Sequence, residues 1–220
     1  MIKRIAKPEK VKTMHEDNRV ITAIQLMRIV ATIRYNNIAQ IKIMEDKDYD
    51  VSIHIQLIFN HAASLYEGIK TFFKLGIFLK DLESFKKNSD KIKKISRQWG
   101  SKTSFIGRIL FPIRNEVAFH FDEKVINENL ADYLKFCIEN NKEVVLISGS
   151  SERVKDASYR IADNVTVNYI LDKIAGKDLP VEEKVKRFTK ELLELSGSFL
   201  EVLEILIVEL FDESSLVVND

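Results

Sequence analysis

The stretch Ile113-Arg114-Asn115-Glu116-Val117-Ala118-Phe119-His120-Phe121 sets an arginine, an amide and a histidine among apolar residues. Those residue types suit one reaction. RNA can be cleaved by its own 2′-OH attacking the adjacent phosphate, a route closed to DNA, which lacks that hydroxyl. The step needs a proton acceptor that titrates near neutrality, and histidine supplies one. It also needs a fixed cation for the charge that builds on phosphate oxygens, which the planar arginine fork meets better than a lysine. No metal is called for. Glu116 lies four residues before His120, on the same face of a helix, where it would orient the imidazole and favour its protonated form. Asn115 would hold a phosphate or the ribose.

Geometry constrains the idea. On an ideal helix His120 lies about 240° around and about 9 Å along from Arg114, so the two do not share a face. Three things would reunite them: a kink or helix start at Pro112, the length of the arginine, or a second copy of the helix across a two-fold axis. A helix starting near Pro112 would put Arg114 in its first turn, where free backbone N–H groups also favour phosphate. The plainer alternative pairs Arg114 with a surface carboxylate and has His120 cap a helix end before Asp122.

Arg114-Asn115-x4-His120, on a helix in an otherwise helical chain, resembles the R-x(4–6)-H motif of the HEPN superfamily, helical-bundle domains that include many ribonucleases. In that family a polar residue, frequently Asn, often follows the arginine, as Asn115 does here. The resemblance covers residues 18–140 at most. It implies a metal-independent endoribonuclease working as a homodimer, in prokaryotic defence or as a toxin, silenced by an antitoxin or other regulatory protein. Arg114 and His120 would be catalytic, with Asn115 and Glu116 supporting them. The family also holds domains without ribonuclease activity, so a catalytically inert helical module that binds protein or nucleic acid is the rival reading.

Other constellations carry less. Lys86, Lys87, Lys91, Lys93, Lys94 and Arg97, with Phe85 and Trp99 nearby, form a basic run that would follow a phosphate backbone; Lys91, Lys94 and Arg97 are its candidate RNA contacts, and a solvated face is the plainer meaning. His54 and His61 share a helix face and, with Glu67, invite a metal reading, but zinc wants closer pairs and more ligands. Satisfied histidines on a helix flank are expected instead, and no cofactor is called for. Residues 146–151 lack the lysine and glycine spacing of a phosphate-binding loop. Cys137 fits an apolar helical pattern and reads as core.

The elements that must position these residues are helical. The chain holds 7 glycines and 3 prolines in 220 residues, too few for the many turns of an all-β fold. Residues 1–14 read as a flexible arm. A long helix follows over about 18–45, with Val20, Ile24, Met27, Ala31, Tyr35 and Ile38 recurring at steps of three and four as a helical stripe. A second spans about 52–82, with Ile55, Ile58, Phe59, Ala62, Leu65, Ile69, Phe72, Phe73 and Gly76 facing inward. A short charged helix over 83–98 stops at Gly100. Helix over 105–121 is interrupted by Pro112, and another over 127–140 breaks at Asn140-Asn141. Residues 142–148 read as a strand, with 165–167 either its partner in a short β-hairpin or helical. A final helix begins near Val181. The fold class expected is therefore mainly all-α, a bundle of long antiparallel helices: 1–14 an arm, 15–141 the HEPN-like bundle, 142–220 a helical extension on the same core.

Composition sets the outer bounds. Apolar residues make up 45% and charged residues 30%, a globular balance, and a chain of this length buries roughly 70% of its unfolded surface. Net charge is +1, so the overall field selects no partner. One cysteine fits a reducing, cytoplasmic setting. No apolar run is long enough for a membrane span. Charge is segregated: Lys80–Lys102 carries eight basic and three acidic residues, whereas Glu191–Asp220 carries eight acidic and no basic ones. The wide apolar face of the final helix is either buried or an interface, its acidic edge meeting the basic stretch of a second subunit.

Overall fold

The structure, a computed structural model, describes residues 5–6, 16–45, 51–118, 130–131, 134–135, 137–141, 171, 179–213 and 217–218. The described residues form an all-α bundle with long helices α1 (Asn18–Glu45), α2 (Val51–Leu79) and α5 (Val181–Glu213). Two shorter helices, α3 (Glu83–Lys87) and α4 (Ser89–Trp99), follow α2, and two π-helical segments follow them at Ile106–Leu110 and Ile113–Ala118. Within the stretch read as an arm, Ile5–Ala6 (β1) pairs antiparallel with Val217–Val218 (β2), tying the two ends of the chain together. No helix among the described residues is long and apolar enough to cross a membrane. The hairpin expected over 142–168 and His15 lie outside the described residues.

The core lies where α1, α2 and α5 meet. From α2 the buried apolar residues include Ile55, Ile58, Phe59, Ala62, Leu65, Ile69 and Phe72 of the face its periodicity marks, with Ala63 and Leu79 beside them, while Phe73 and Gly76 of that face are half-buried. α1 turns the other way. Its buried apolar residues are Val20, Ala23, Leu26, Val30 and Ile33, while Ile24, Met27, Tyr35 and Ile38 of the stripe its spacing marks are exposed. The helix is apolar on two sides at the same period, and the side that fits the notch at Gly68 is the one buried. A Cβ at Gly68 would stand 2.8 Å from Ile29 Cγ2 and 3.5 Å from the Phe199 ring. The missing side chain is what lets the three long helices approach.

Polar contacts fix the register of this seam. Arg34 Nη2 meets Glu204 Oε1 at 2.6 Å, and Ser196 Oγ donates to Asn37 Oδ1 at 3.3 Å, joining α1 to α5. Glu209 of α5 accepts from the backbone N–H groups of Glu83 (2.7 Å) and Ser84 (2.8 Å) and from the Ser84 hydroxyl, capping α3 from outside it. Burial pushes the Glu209 carboxyl up, but these hydrogen bonds and Lys87 outweigh it and hold it below the usual range. The single charged helix expected over 83–98 is two helices, because Asn88 breaks it: its Nδ2 donates back to the Ser84 carbonyl at 2.9 Å. Gly100 ends α4, and Asn141, at φ 50°, ends the helical turns before it in the left-handed region. Cys137 is buried.

His54 and His61 are buried rather than on a helix flank. Gln40 of α1 and His61 Nδ1 lie 2.8 Å apart in a fully buried pair. Burial pushes the His61 imidazole down to about 4 and lowers His54 as well. Among the described residues no group of three or more His, Cys, Asp or Glu side chains is placed to hold a metal.

Two predictions follow from the packing. Gly68→Ala loses about 1–2 kcal/mol, a steric cost reduced by the better helix propensity of alanine. Gly76→Ala in the same helix, whose Cβ meets nothing within 4 Å, gains up to about 1 kcal/mol, so urea denaturation of the pair separates packing from propensity. For His61, the unfolded chain takes up a proton below pH 6.5 that the folded chain refuses until about pH 4. Its contribution is therefore complete above pH 6.5 and falls as pH drops through that window, by about 3 kcal/mol at most. Between pH 7.5 and 4.5 the wild type should lose about 2–3 kcal/mol more than His61→Gln. Equal losses would show that another group drives the acid sensitivity.

Candidate functional site

The Arg114 segment starts from a tightly built turn after α4. Ser104 Oγ accepts from the Gly107 N–H at 3.1 Å and reaches the carbonyls of Gln98 (2.5 Å) and Ser101 (2.8 Å), so one hydroxyl serves the start of the new helix and the end of α4. The backbone of Ser101 and Lys102 lies so close over Gly107 that a Cβ there would collide with it.

From Ile106 the helix widens. The Phe111 N–H donates to the Ile106 carbonyl five residues back, and the wide register resumes at Ile113–Ala118. Pro112 sits between the two segments. It has no N–H to donate, and its ring would crowd the carbonyl four residues back in a tight α-helix. A wide turn relieves that crowding, and such turns occur frequently at functional sites. The interruption expected at Pro112 is thus a change of register within a continuing helix. Ile106, Ile109, Leu110 and Ile113 are buried and anchor the segment, which packs mainly on α2.

Arg114 meets α2. Its Nε donates to Glu67 Oε1 at 2.5 Å, and Lys70 Nζ stands 3.5 Å from the same oxygen. Its Nη1 donates to Asn115 Oδ1 at 2.7 Å, while Asn115 Nδ2 donates to the Phe111 carbonyl at 3.0 Å. The guanidinium side chain is 28% exposed, fixed along one edge and open to solvent. Beside it runs an aromatic wall. Tyr66 packs on Trp99 (ring centroids 4.9 Å) and edge-on to Phe111 (5.8 Å), and Trp99 touches Phe73 (5.8 Å). Burial pushes the Tyr66 phenol up and Glu67 adds to it, with Arg114 opposing. The cluster pairs two cations with one carboxylate, a residual positive charge over an aromatic floor. That chemistry suits a phosphate with a ring stacked beside it.

Of the residues singled out from sequence, Arg114 and Asn115 are brought together. Glu116 lies in the second π segment, but its side chain is outside the described residues, as is the whole of His120. Lys91, Lys94 and Arg97 sit on α4, and Lys91 and Lys94 line a groove that does not include Arg114. Lys91 Nζ pairs with Glu201 Oε2 at 2.6 Å, and Lys94 lines a groove of about 520 Å³ opposite Glu191 and Glu194. Part of the basic stretch therefore meets the acidic final helix within the chain, and the phosphate track expected there is partly neutralised. Arg97 is exposed. Glu67, Lys70 and Tyr66 were not legible as partners of the motif. In sequence Glu67 stands out only beside His54 and His61, which it does not join in any described contact.

Gly107→Ala is expected to cost about 2–3 kcal/mol, because the obstructing atoms are backbone and cannot rotate away. Gly100→Ala should be near neutral, since its Cβ would stand 3.6 Å from the Ser96 carbonyl, an ordinary contact. Thermal denaturation of both variants checks this; equal stability would mean the 101–104 turn yields easily.

Comparison with family models, with curated proteins and with solved structures found no match to this chain.

Proposed function

We propose that the chain is a metal-independent endoribonuclease of HEPN type. The observation that carries the reading is the placement of Arg114: partly exposed, held along its Nε edge by Glu67, next to Asn115 and Lys70, on a wide-turn helix beside an aromatic wall. In the proposed reaction the RNA 2′-OH attacks the adjacent phosphorus and the 5′-oxygen leaves, giving a 2′,3′-cyclic phosphate. Arg114 offsets charge on the non-bridging oxygens, Asn115 holds a phosphate or ribose oxygen, and His120 moves the proton as general base or acid, with Glu116 supporting it. Arg97 and Lys94 are the RNA contacts left on α4, with Lys91 secondary because Glu201 already neutralises it. A cytoplasmic defence or toxin role, restrained by a regulatory protein, goes with the resemblance.

One observation favours the rival, an inert helical module that binds protein or nucleic acid. Glu67 satisfies Arg114 as an ordinary interelement ion pair would, and such a pair needs no substrate.

Labelled RNA incubated with the protein in excess EDTA separates the two. Wild type should cleave, leaving 2′,3′-cyclic phosphate ends. His120→Ala and Arg114→Ala should each be slower by at least about 100-fold while folding normally. Absence of cleavage on single-stranded, structured and tRNA-like substrates, or equal cleavage by His120→Ala, moves the assignment to the binding module.

A further inference from the structure

Tyr66 and Phe73 are seven residues apart on α2, so they lie nearly one above the other, about 10 Å along the helix. Trp99 bridges them: its ring packs on Tyr66 at 4.9 Å and on Phe73 at 5.8 Å. Phe111 meets Tyr66 edge-on at 5.8 Å and carries the row of rings to the Arg114 segment. The inner end of the row is anchored, because Phe73 packs on the buried Phe72. The outer end is open: Phe111 is 46% exposed, and Tyr66 and Trp99 are half-buried.

A row of cations runs beside the rings. Lys70 and Lys74 lie about 40° and 80° round α2 from Tyr66, one helical turn apart. Lys74 is exposed and Lys70 half-buried. Arg114 stands at the head of this row, where it and Lys70 share the carboxylate of Glu67. The two rows close on each other at one end, because the Asn115 side chain binds both the Phe111 carbonyl and the Arg114 guanidinium.

A lone exposed ring needs no explanation. Four rings in contact, flanked by cations, fit a ligand with flat apolar faces on one side and negative charge on the other. A single nucleic-acid strand has that form, with bases projecting from a line of phosphates. A duplex does not: its bases are stacked inside, and the deep groove of an RNA helix is closed to side chains. Only an unpaired base reaches these rings.

We propose that Phe111, backed by Tyr66 and Trp99, is a stacking platform for an unpaired base beside the phosphate at Arg114, with Lys70 and Lys74 following the strand, so that the chain takes single-stranded rather than duplex RNA. That the strand is RNA rests on the ribonuclease reading; the platform itself does not.

Binding of a strand that cannot be cleaved tests this. The probe is a dye-labelled 2′-O-methyl RNA about ten nucleotides long, the size of a single-strand site, whose blocked 2′ oxygen cannot attack phosphorus. Anisotropy should show it binding at least about tenfold more tightly than its blunt duplex or an abasic strand of equal length. Trp99, the chain's one tryptophan, sits in the platform, so its emission should change with the base-bearing strand and not with the abasic one. Phe111→Ala and Phe111→Leu should each weaken binding by roughly 5- to 150-fold, the cost of losing one ring under a base, whereas Phe111→Tyr should bind as wild type does. All three should keep the wild-type circular dichroism, because Phe111 is exposed. Lys74→Ala should weaken base-bearing and abasic strands alike. No binding of the single strand, equal affinity for the duplex or the abasic strand, unchanged Trp99 emission on binding, or full affinity in Phe111→Leu would each overturn the platform. Tighter binding of the same sequence as DNA would overturn the assignment to RNA. Cleavage of RNA alongside any of these failures leaves the ribonuclease reading standing without the platform. The expected binding without cleavage leaves the platform standing on an inert binding module.

Discussion

The close approach of α1, α2 and α5 at Gly68 is the constraint on which the other contacts rest. Ile29, Ile33 and the Phe199 ring crowd the space a side chain would take. Burial there is all-or-none: the helices either reach contact distance or leave a gap that forfeits dispersion along the whole seam. Once the seam closes, the register is set at both ends. Gln40 stands against His61 at one end, and Arg34 and Asn37 stand against Glu204 and Ser196 along α5. The short α3 is held by Glu209, whose position is itself fixed by the seam, and by Phe85 stacked on Phe72.

The same constraint places the candidate site. Glu67 immediately precedes Gly68, and one step along a helix turns the side chain by about 100°. Gly68 faces α1 and α5, so Tyr66 and Glu67 face away from them, toward the π-helical segments. The position of Arg114 is thus inherited from a glycine that never touches it. Wide turns on both sides of Pro112 let the segment lie along α2 with Ile109, Leu110 and Ile113 buried and Arg114 reaching Glu67.

How much of this the sequence discloses differs by element and for physical reasons. α2 has one dominant apolar stripe, so its inner face is legible from periodicity alone. α1 has two stripes at the same period, and nothing within the helix says which is buried; the partner's shape decides, through a glycine in a different helix. The charge segregation between Lys80–Lys102 and Glu191–Asp220 is visible in sequence. Whether opposite charges meet within a chain or between chains depends on the path of the backbone, and Lys91 finds Glu201 at home. Pro112 announces an interruption, but no residue type announces a wide register. The Arg114–Glu67 pair spans 47 positions and has no local signal.

Glu67 also bears on what Arg114 can do. A carboxylate against the guanidinium weakens the field available to an incoming phosphate. Both side chains are partly exposed, and ion pairs of that kind are worth about 0–1 kcal/mol. That is too little to lock the arginine away, but enough to select one orientation of a long and otherwise mobile side chain. Lys70 shares the same carboxylate oxygen and loosens its hold further. For phosphate chemistry the arrangement preorganises the cation at small energetic cost, with Nε anchored on Glu67 and Nη1 on Asn115. A bare arginine in the same place would carry more charge and less direction. The reaction proposed here needs direction, because the charge to be offset develops on particular oxygens of a trigonal-bipyramidal phosphorus.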